Sequence, residues 1–199
     1  MNLIAHRKNT LAELQETPRK YGIEIDVRSS GDQLILAHDP FVAGELLVPW
    51  LDAYQHGTLI LNVKEEGLEA ALIDLMACKG ITDYFLLDQS FPFLIKWAKT
   101  GFHQSAVRFS EYESISTVLG LAGLVDWVWV DCFTRFSLTS ADYLLLKRNN
   151  FKLCLVSPEL QGRDPAREIP PLLLQLKQEG MSIDAVCTKR PDLWELVLQ

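Results

Sequence analysis

The chain has 199 residues, of which 48% are hydrophobic and 23% charged, a composition typical of a globular protein with one large or two small domains. The formal net charge of −7 argues against a nucleic-acid-binding surface and means that an anionic substrate would need local cations. No apolar run approaches the roughly 20 residues that span a bilayer, and the N-terminus lacks a signal-peptide pattern. These observations predict a soluble, cytoplasmic protein.

The four cysteines are far apart and form no C-x-x-C pair: Cys78, Cys132, Cys154 and Cys187. The last three lie in or beside apolar, strand-like runs. We therefore interpret them as reduced thiols of the core, and not as disulfides or zinc ligands.

Strand-like and helix-like segments alternate along the chain. The predicted strands are residues 3–6, 23–27, 58–64, 83–87, 103–109, 127–131, 152–156 and 185–188. The predicted helices are residues 11–15 after an Asn9-Thr10 cap, 48–54, 68–78, 91–99, 111–119, 141–149, 170–179 and 190–198. Between the second and third strands, a turn at residues 29–32 is followed by an extended arm, residues 33–37, that leads to His38.

Eight strands alternating with helices predict a parallel sheet. One unit per about 25 residues (199 over 8) fits a single, compact (β/α)₈ TIM barrel that spans residues 1–199. An open, doubly wound sheet is the alternative, but no glycine-rich phosphate loop follows the first strand. The sequence therefore favours an α/β barrel.

Two carboxylates stand two residues apart in the second strand. The side-chain period of a strand points Glu24 and Asp26 to one face, where the like charges repel unless a cation lies between them. His38-Asp39 follows twelve residues after Asp26. A solvated acidic face is the simpler interpretation of the strand alone, and the residues at the other strand ends argue against it.

Further polar residues stand where the first and third strands end, which in a barrel is the catalytic end. They are His6 and Arg7 after the first strand and Asn62 and Lys64 on the third. Together with the acidic strand they suit cleavage of a phosphodiester. In this scheme Glu24, Asp26 and the Asn62 carbonyl oxygen are metal ligands, and their hard oxygens favour Mg²⁺ or Ca²⁺.

The cations and histidines complete that chemistry. Arg7 and Lys64 would stabilise the nonbridging phosphate oxygens, while His6 and His38 would act as a base and acid pair. The predicted partner is a small-molecule phosphodiester.

The motifs His6-Arg7, Glu24-x-Asp26, His38-Asp39 and Asn62-x-Lys64 resemble those of glycerophosphodiester phosphodiesterases and of the wider phospholipase C-like phosphodiesterase superfamily. The segment 184–192, at the last strand and helix, is similar to the same family. The resemblance implies a TIM barrel, catalytic histidines at His6 and His38, a divalent metal on Glu24 and Asp26, phosphate contacts from Arg7 and Lys64, and a cyclic phosphate product in some members.

Three features differ from the pattern of that family. Lys8 replaces a glycine, Asn62 replaces a glutamate, and the segment 39–58 lacks a larger insertion, so the chain resembles the compact relatives of the sphingomyelinase D type. The loss of one anionic ligand predicts weaker metal binding.

Four further residues are candidates for the substrate pocket: Asp39, Arg108, Trp129 and Asp131. The alternatives for them are ordinary loop charges and, for Trp129, core packing. Two other functions stay open for the whole protein. One is a catalytically degenerate barrel that binds a phosphorylated ligand, and the other is a barrel enzyme of different chemistry that uses Lys64, such as an aldolase or isomerase.

Overall fold

A computed structural model describes residues 1–198 as a mixed α/β domain built on one curled sheet. The strands are β1 (Asn2–Ala5), β2 (Gly22–Ser30), β3 (Gln33–Leu36), β4 (Glu45–Leu46), β5 (Leu59–Val63), β6 (Tyr84–Leu87), β7 (Ala106–Phe109), β8 (Trp127–Val130), β9 (Lys152–Val156) and β10 (Ala185–Thr188). The helices are α1 (Leu11–Glu16), α2 (Leu47–Asp52), α3 (Glu69–Lys79), α4 (Phe91–Ala98), α5 (Ile115–Leu119), α6 (Ser140–Arg148), α7 (Pro165–Gln178) and α8 (Pro191–Leu198).

The parallel strands pair in a continuous series that runs β7, β8, β9, β10, β1, β2, β5 and β6. The two ends of this series, β6 and β7, meet at a single isolated bridge between Leu86 and Ser105. Strand β3 pairs antiparallel with β2 and carries the chain toward His38, as the predicted arm requires, and β4 extends it. All eight predicted parallel strands are thus present in residues 1–198.

The two faces of β2 pack against different parts of the protein. Ile23, Ile25 and Val27 face the helices and pack in an apolar cluster with residues of α2 and α3. Glu24 and Asp26 alternate with them and therefore point to the inside of the curled sheet, where both are fully buried. The rest of the inner face is filled by apolar side chains from seven of the parallel strands, including Trp129, so the carboxylates lie above a packed interior.

Four predicted boundaries were wrong by three or more residues. Strand β2 runs on to Ser30, past the predicted end at residue 27, so the turn predicted at 29–32 consists of residues 31 and 32 only. Strand β7 begins at Ala106 and not at residue 103. Helix α5 begins at Ile115 because residues 110–113 form a turn, in which the Ser110 hydroxyl accepts hydrogen bonds from the N–H groups of Tyr112 and Glu113. Helix α7 begins at Pro165, five residues before the predicted start, because Asp164 caps it by accepting from the Ala166 N–H.

The cysteines of the apolar runs lie in the core, as predicted. Cys132, Cys154 and Cys187 are buried free thiols, and Cys78 is a free thiol on the surface. Within residues 1–198, no helix combines the length and apolar character needed to cross a membrane.

Candidate active site

A tight turn after β1 brings the backbone against the acidic strand. Arg7 adopts a left-handed conformation, with φ of 51°, which is unusual for a residue other than glycine. The turn lets the Arg7 N–H donate to Oε2 of Glu24 at 2.7 Å and the Lys8 N–H donate to the Glu24 carbonyl at 3.0 Å. Strained residues of this kind concentrate at functional sites.

Glu24 is buried with few compensating charges. Its Oε1 accepts a hydrogen bond from the Asn62 amide at 2.9 Å, and its Oε2 accepts from Arg7. Burial and the neighbouring Asp26 carboxylate raise the pKa of Glu24 to about 7, although the bonds from Asn62 and Arg7 oppose the shift. The site therefore disfavours the ionised form of Glu24, as expected for a carboxylate buried beside a second carboxylate.

Asp26 is surrounded by donors and cations. Asn9 clamps it twice, because its amide donates to Oδ2 at 2.9 Å and its carbonyl oxygen accepts the Asp26 N–H at 2.9 Å. The Lys64 ammonium lies 3.2 Å from Oδ1 and the Arg7 guanidinium 3.5 Å from Oδ2. Both predicted phosphate-binding cations are therefore beside the predicted metal ligand.

On the neighbouring strands β2 and β5, Oδ1 of Asp26 and Oδ1 of Asn62 are buried and accept no hydrogen bond, although the Lys64 ammonium lies 3.2 Å from Oδ1 of Asp26. Asp26 and Asn62 are paired neighbours on β2 and β5. Buried oxygens of this type fit a hard divalent cation, which would satisfy them without a proton donor. In residues 1–198, no group of three or more histidine, cysteine, aspartate or glutamate side chains could hold a metal, and this candidate set has only two carboxylates and an amide.

The two predicted catalytic histidines have different environments. His6 is largely buried, with Nε2 at 3.8 Å from Oε2 of Glu24 and no hydrogen bond at Nδ1. Burial and the positive charges of Arg7, Lys189 and Lys64 lower the pKa of His6 to about 3, so its imidazole is neutral at physiological pH. His38 is more exposed, and its Nδ1 lies 2.7 Å from Oδ1 of Asp39.

Arg28 is a site residue that our sequence reasoning missed. Its guanidinium donates to the carbonyl oxygen of His38 at 3.0 and 3.2 Å and to that of Lys64 at 3.3 Å, so it ties the His38 arm to the end of β5. The spacing of two from Glu24 to Asp26 continues to Arg28. That repeated spacing was the signal that could have identified it.

A second ionic cluster adjoins the first. Arg108 contacts Asp88 and Asp131 and lies 3.7 Å from Glu113, while the other oxygen of Asp88 lies 3.7 Å from Lys64. Three carboxylates therefore neutralise Arg108, which leaves it little capacity to bind phosphate.

The other candidate pocket residues have different surroundings. Asp131 also accepts from the Gln161 amide at 2.7 Å. Trp129 is buried within the sheet interior, where core packing explains it. Asp39 is exposed beside His38.

The geometry can be compared with known proteins. No family model matches the sequence, and no curated protein is similar to it. Solved structures do match. One from Galdieria sulphuraria, provisionally named as a glycerophosphodiester phosphodiesterase, superimposes with a TM-score of 0.75 over 100% of this chain and 98% of its own, at 15% identity.

Two further structures agree. A glycerophosphodiester phosphodiesterase from Agrobacterium tumefaciens has a TM-score of 0.64 at 18% identity, with 100% of this chain and 99% of its own covered. A glycerophosphoryl diester phosphodiesterase from Parabacteroides distasonis has a TM-score of 0.67 at 13% identity, with 99% and 85% covered. This chain shares their fold. The shared fold spans essentially the full length of the chain.

Proposed function

We propose that the protein is a metal-dependent phosphodiesterase that cleaves a glycerophosphodiester or a related small phosphodiester. The observation that carries this proposal is the convergence of Glu24, Asp26, His6, Arg7 and Lys64 at the carboxyl end of neighbouring strands. The shared fold of the phosphodiesterase structures supports it. We also infer that β6 and β7 close the sheet into a (β/α)₈ barrel, for which the Leu86–Ser105 bridge is the support.

Glu24, Asp26 and Asn62 would hold Mg²⁺ or Ca²⁺, which would neutralise charge on the phosphate when bound. The buried Asn62 oxygen, which accepts no hydrogen bond, supports this assignment, and the Asp26 carboxylate lies beside it on the paired strand. The buried Glu24 carboxylate supports it further, since a cation would stabilise its ionised form.

The protein's own residues would supply the proton transfers. Nδ1 of the buried His6 ring makes no hydrogen bond, so this nitrogen is available to accept a proton from the attacking hydroxyl. The Asp39 carboxylate lies 2.7 Å from Nδ1 of His38 and would orient the ring so that it can protonate the leaving oxygen. Arg7 and Lys64 would stabilise the nonbridging oxygens, and Asn9 and Arg28 would position Asp26 and the His38 arm.

Hydrolysis of bis(p-nitrophenyl) phosphate and of glycerophosphodiesters tests the proposal, with Mg²⁺, Ca²⁺ or EDTA present. Because His38→Ala removes a proton-transfer group, we expect turnover to fall roughly 10²–10⁴-fold. His103→Ala is the matched control, since His103 is an exposed histidine before β7, at the other end of the sheet. Equal turnover in wild type and His38→Ala would refute the catalytic assignment.

A second candidate is a barrel that binds a phosphorylated ligand without cleaving it. The observation that favours it is the pairing of Asp26 with Lys64 and Arg7, which compensates its charge without a metal. Absence of turnover with every substrate and metal, together with calorimetric binding of inorganic phosphate, would favour this function over hydrolysis.

A further inference from the structure

The exposed aromatic side chains are concentrated at one end of the molecule. Four aromatic residues in the described part of the chain are exposed: Phe41, Phe91, Tyr112 and Phe133. Each lies on a loop or helix start that follows a strand leading toward the candidate active site, namely β3, β6, β7 and β8. Exposure of aromatic rings to water is unfavourable, so their concentration at this end indicates that another molecule or surface covers them.

Phe41 is the strongest of these observations. It lies three residues after His38, its side chain is fully exposed, and its backbone is left-handed, with φ of 62°. A bulky residue in this conformation is strained, and no contact within the described chain compensates by covering the ring. The next residue, Val42, is also exposed. The loop thus presents an apolar tip beside a predicted catalytic group.

Two of the other exposed aromatic residues border a cavity. A cavity of about 560 Å³ lies where β6 and β7 separate, with Phe91 and Tyr112 in its lining and buried Leu87, Leu94 and Ala106 behind them. Asp88, which contacts Lys64, lines the same cavity.

Across the next loop, Tyr112 packs edge-to-face against Phe133, with ring centroids 5.7 Å apart. Exposed aromatic rings therefore stand at the mouth of a cavity that reaches Asp88, at the edge of the candidate site.

Charge distinguishes between the surfaces that could cover these rings. Exposed Asp39 is close in sequence to Phe41, and partly exposed Glu113 is next to Tyr112. With a net charge of −7, the chain is repelled by anionic lipids. The ammonium groups of a phosphocholine surface, in contrast, are attracted both to carboxylates and to aromatic faces.

We propose that Phe41, Phe91, Tyr112 and Phe133 form a docking rim that seats this end of the protein on a zwitterionic, phosphocholine lipid surface. Aromatic side chains that insert into the interfacial region of a bilayer gain the free energy of leaving water. The rim would bring the candidate active site to a phosphodiester presented at a lipid surface. Docking itself does not depend on hydrolysis.

Co-sedimentation with sucrose-loaded phosphatidylcholine vesicles tests the rim. The sharpest variant is Phe41→Gly, because glycine suits the left-handed backbone and the change removes the ring without strain. We expect vesicle affinity to fall by roughly tenfold to a hundredfold, the effect of losing one buried aromatic ring. Tyr112→Ser should lower it by a similar factor. Leu144→Ser, an exposed apolar residue on α6, is the control and should leave it unchanged.

Several results would overturn the proposal. The wild type could fail to bind phosphatidylcholine vesicles, or wild type and Phe41→Gly could bind them equally. The third such result is that the protein binds only phosphatidylserine vesicles and that salt abolishes this binding. Sedimentation velocity tests whether a second copy of the chain covers the rim instead. A wild-type dimer that dissociates in Phe41→Gly would assign the rim to that second copy. None of these readouts uses catalytic activity, so failure of the rim and failure of the phosphodiesterase proposal are distinguishable.

Discussion

Asn62 determines the charge of the candidate metal site. It is buried beside Glu24 and Asp26 and donates its amide to Glu24, yet its carbonyl oxygen has no hydrogen bond. With a carboxylate at this position, the site would have three anionic donors in place of two. The observed set would therefore hold a divalent cation with one negative charge fewer, and the attraction would be weaker.

Asn62→Glu is expected to tighten Mg²⁺ binding by roughly tenfold or more, because each added carboxylate strengthens a hard-cation site. Isothermal titration calorimetry measures the change. Gln55→Glu adds the same charge on an exposed loop before β5 and serves as the control. Equal Mg²⁺ affinity in wild type and Asn62→Glu would place Asn62 outside the ligand set.

At the scale of elements, two loops beside the site are joined by one side chain. Glu111, after β7, accepts hydrogen bonds from the backbone N–H groups of Phe133, Thr134 and Arg135, after β8, at 2.8–3.1 Å. Partial burial opposes ionisation, but hydrogen bonds from the backbone of Thr134, Glu111 and Arg135 outweigh it and lower the pKa of Glu111 to about 2. The carboxylate thereby fixes the loop that carries Phe133.

The pKa of Glu111 is lower in the folded protein than its ordinary value of about 4.5, so the ionised carboxylate stabilises the fold fully above pH 4.5. This stabilisation is lost as the pH falls toward 2. Glu111→Gln should therefore lower the melting temperature by about 2–4 °C at pH 7, with the difference shrinking between pH 4.5 and 2. Thermal unfolding followed by circular dichroism measures it, and exposed Glu66→Gln is the control. A difference that is the same at pH 7 and pH 3 would contradict the role of the charge.

Local patterns predicted most elements because their signals are local. Thr10 caps α1, and its capping box with Glu13 is visible in the sequence. The start of α7 was harder to predict, since Pro170 and Pro171 suggest a beginning but lie inside the helix. The true start is marked by Asp164-Pro165, a capping residue followed by proline in the first turn, and Ile169 packs in the core from the first part of the helix.

At the scale of the whole molecule, the sequence predicted the order of strands and which side chains share a face. The period of two placed Glu24, Asp26 and Asn62 on the inner face, as the structure has them. It could not predict that Asp88 and Asp131 neutralise Arg108, because these residues are 20 or more positions apart and meet only when the sheet curls. Long-range ionic partners of this kind have no local signature.

The single bridge between β6 and β7 has a consequence for hydrogen exchange. Across this seam the Leu86 N–H bonds to the Gln104 carbonyl and only one bridge supports it, whereas Leu61 lies in β5, which is paired on both sides. Native-state exchange should therefore be faster at Leu86 than at Leu61, since fewer bonds must open together. Equal protection of the Leu86 and Leu61 amides from exchange would show that the β6–β7 junction opens as cooperatively as the rest of the sheet. A faster seam would make local opening of the sheet the motion that widens the cleft between Phe91 and Tyr112.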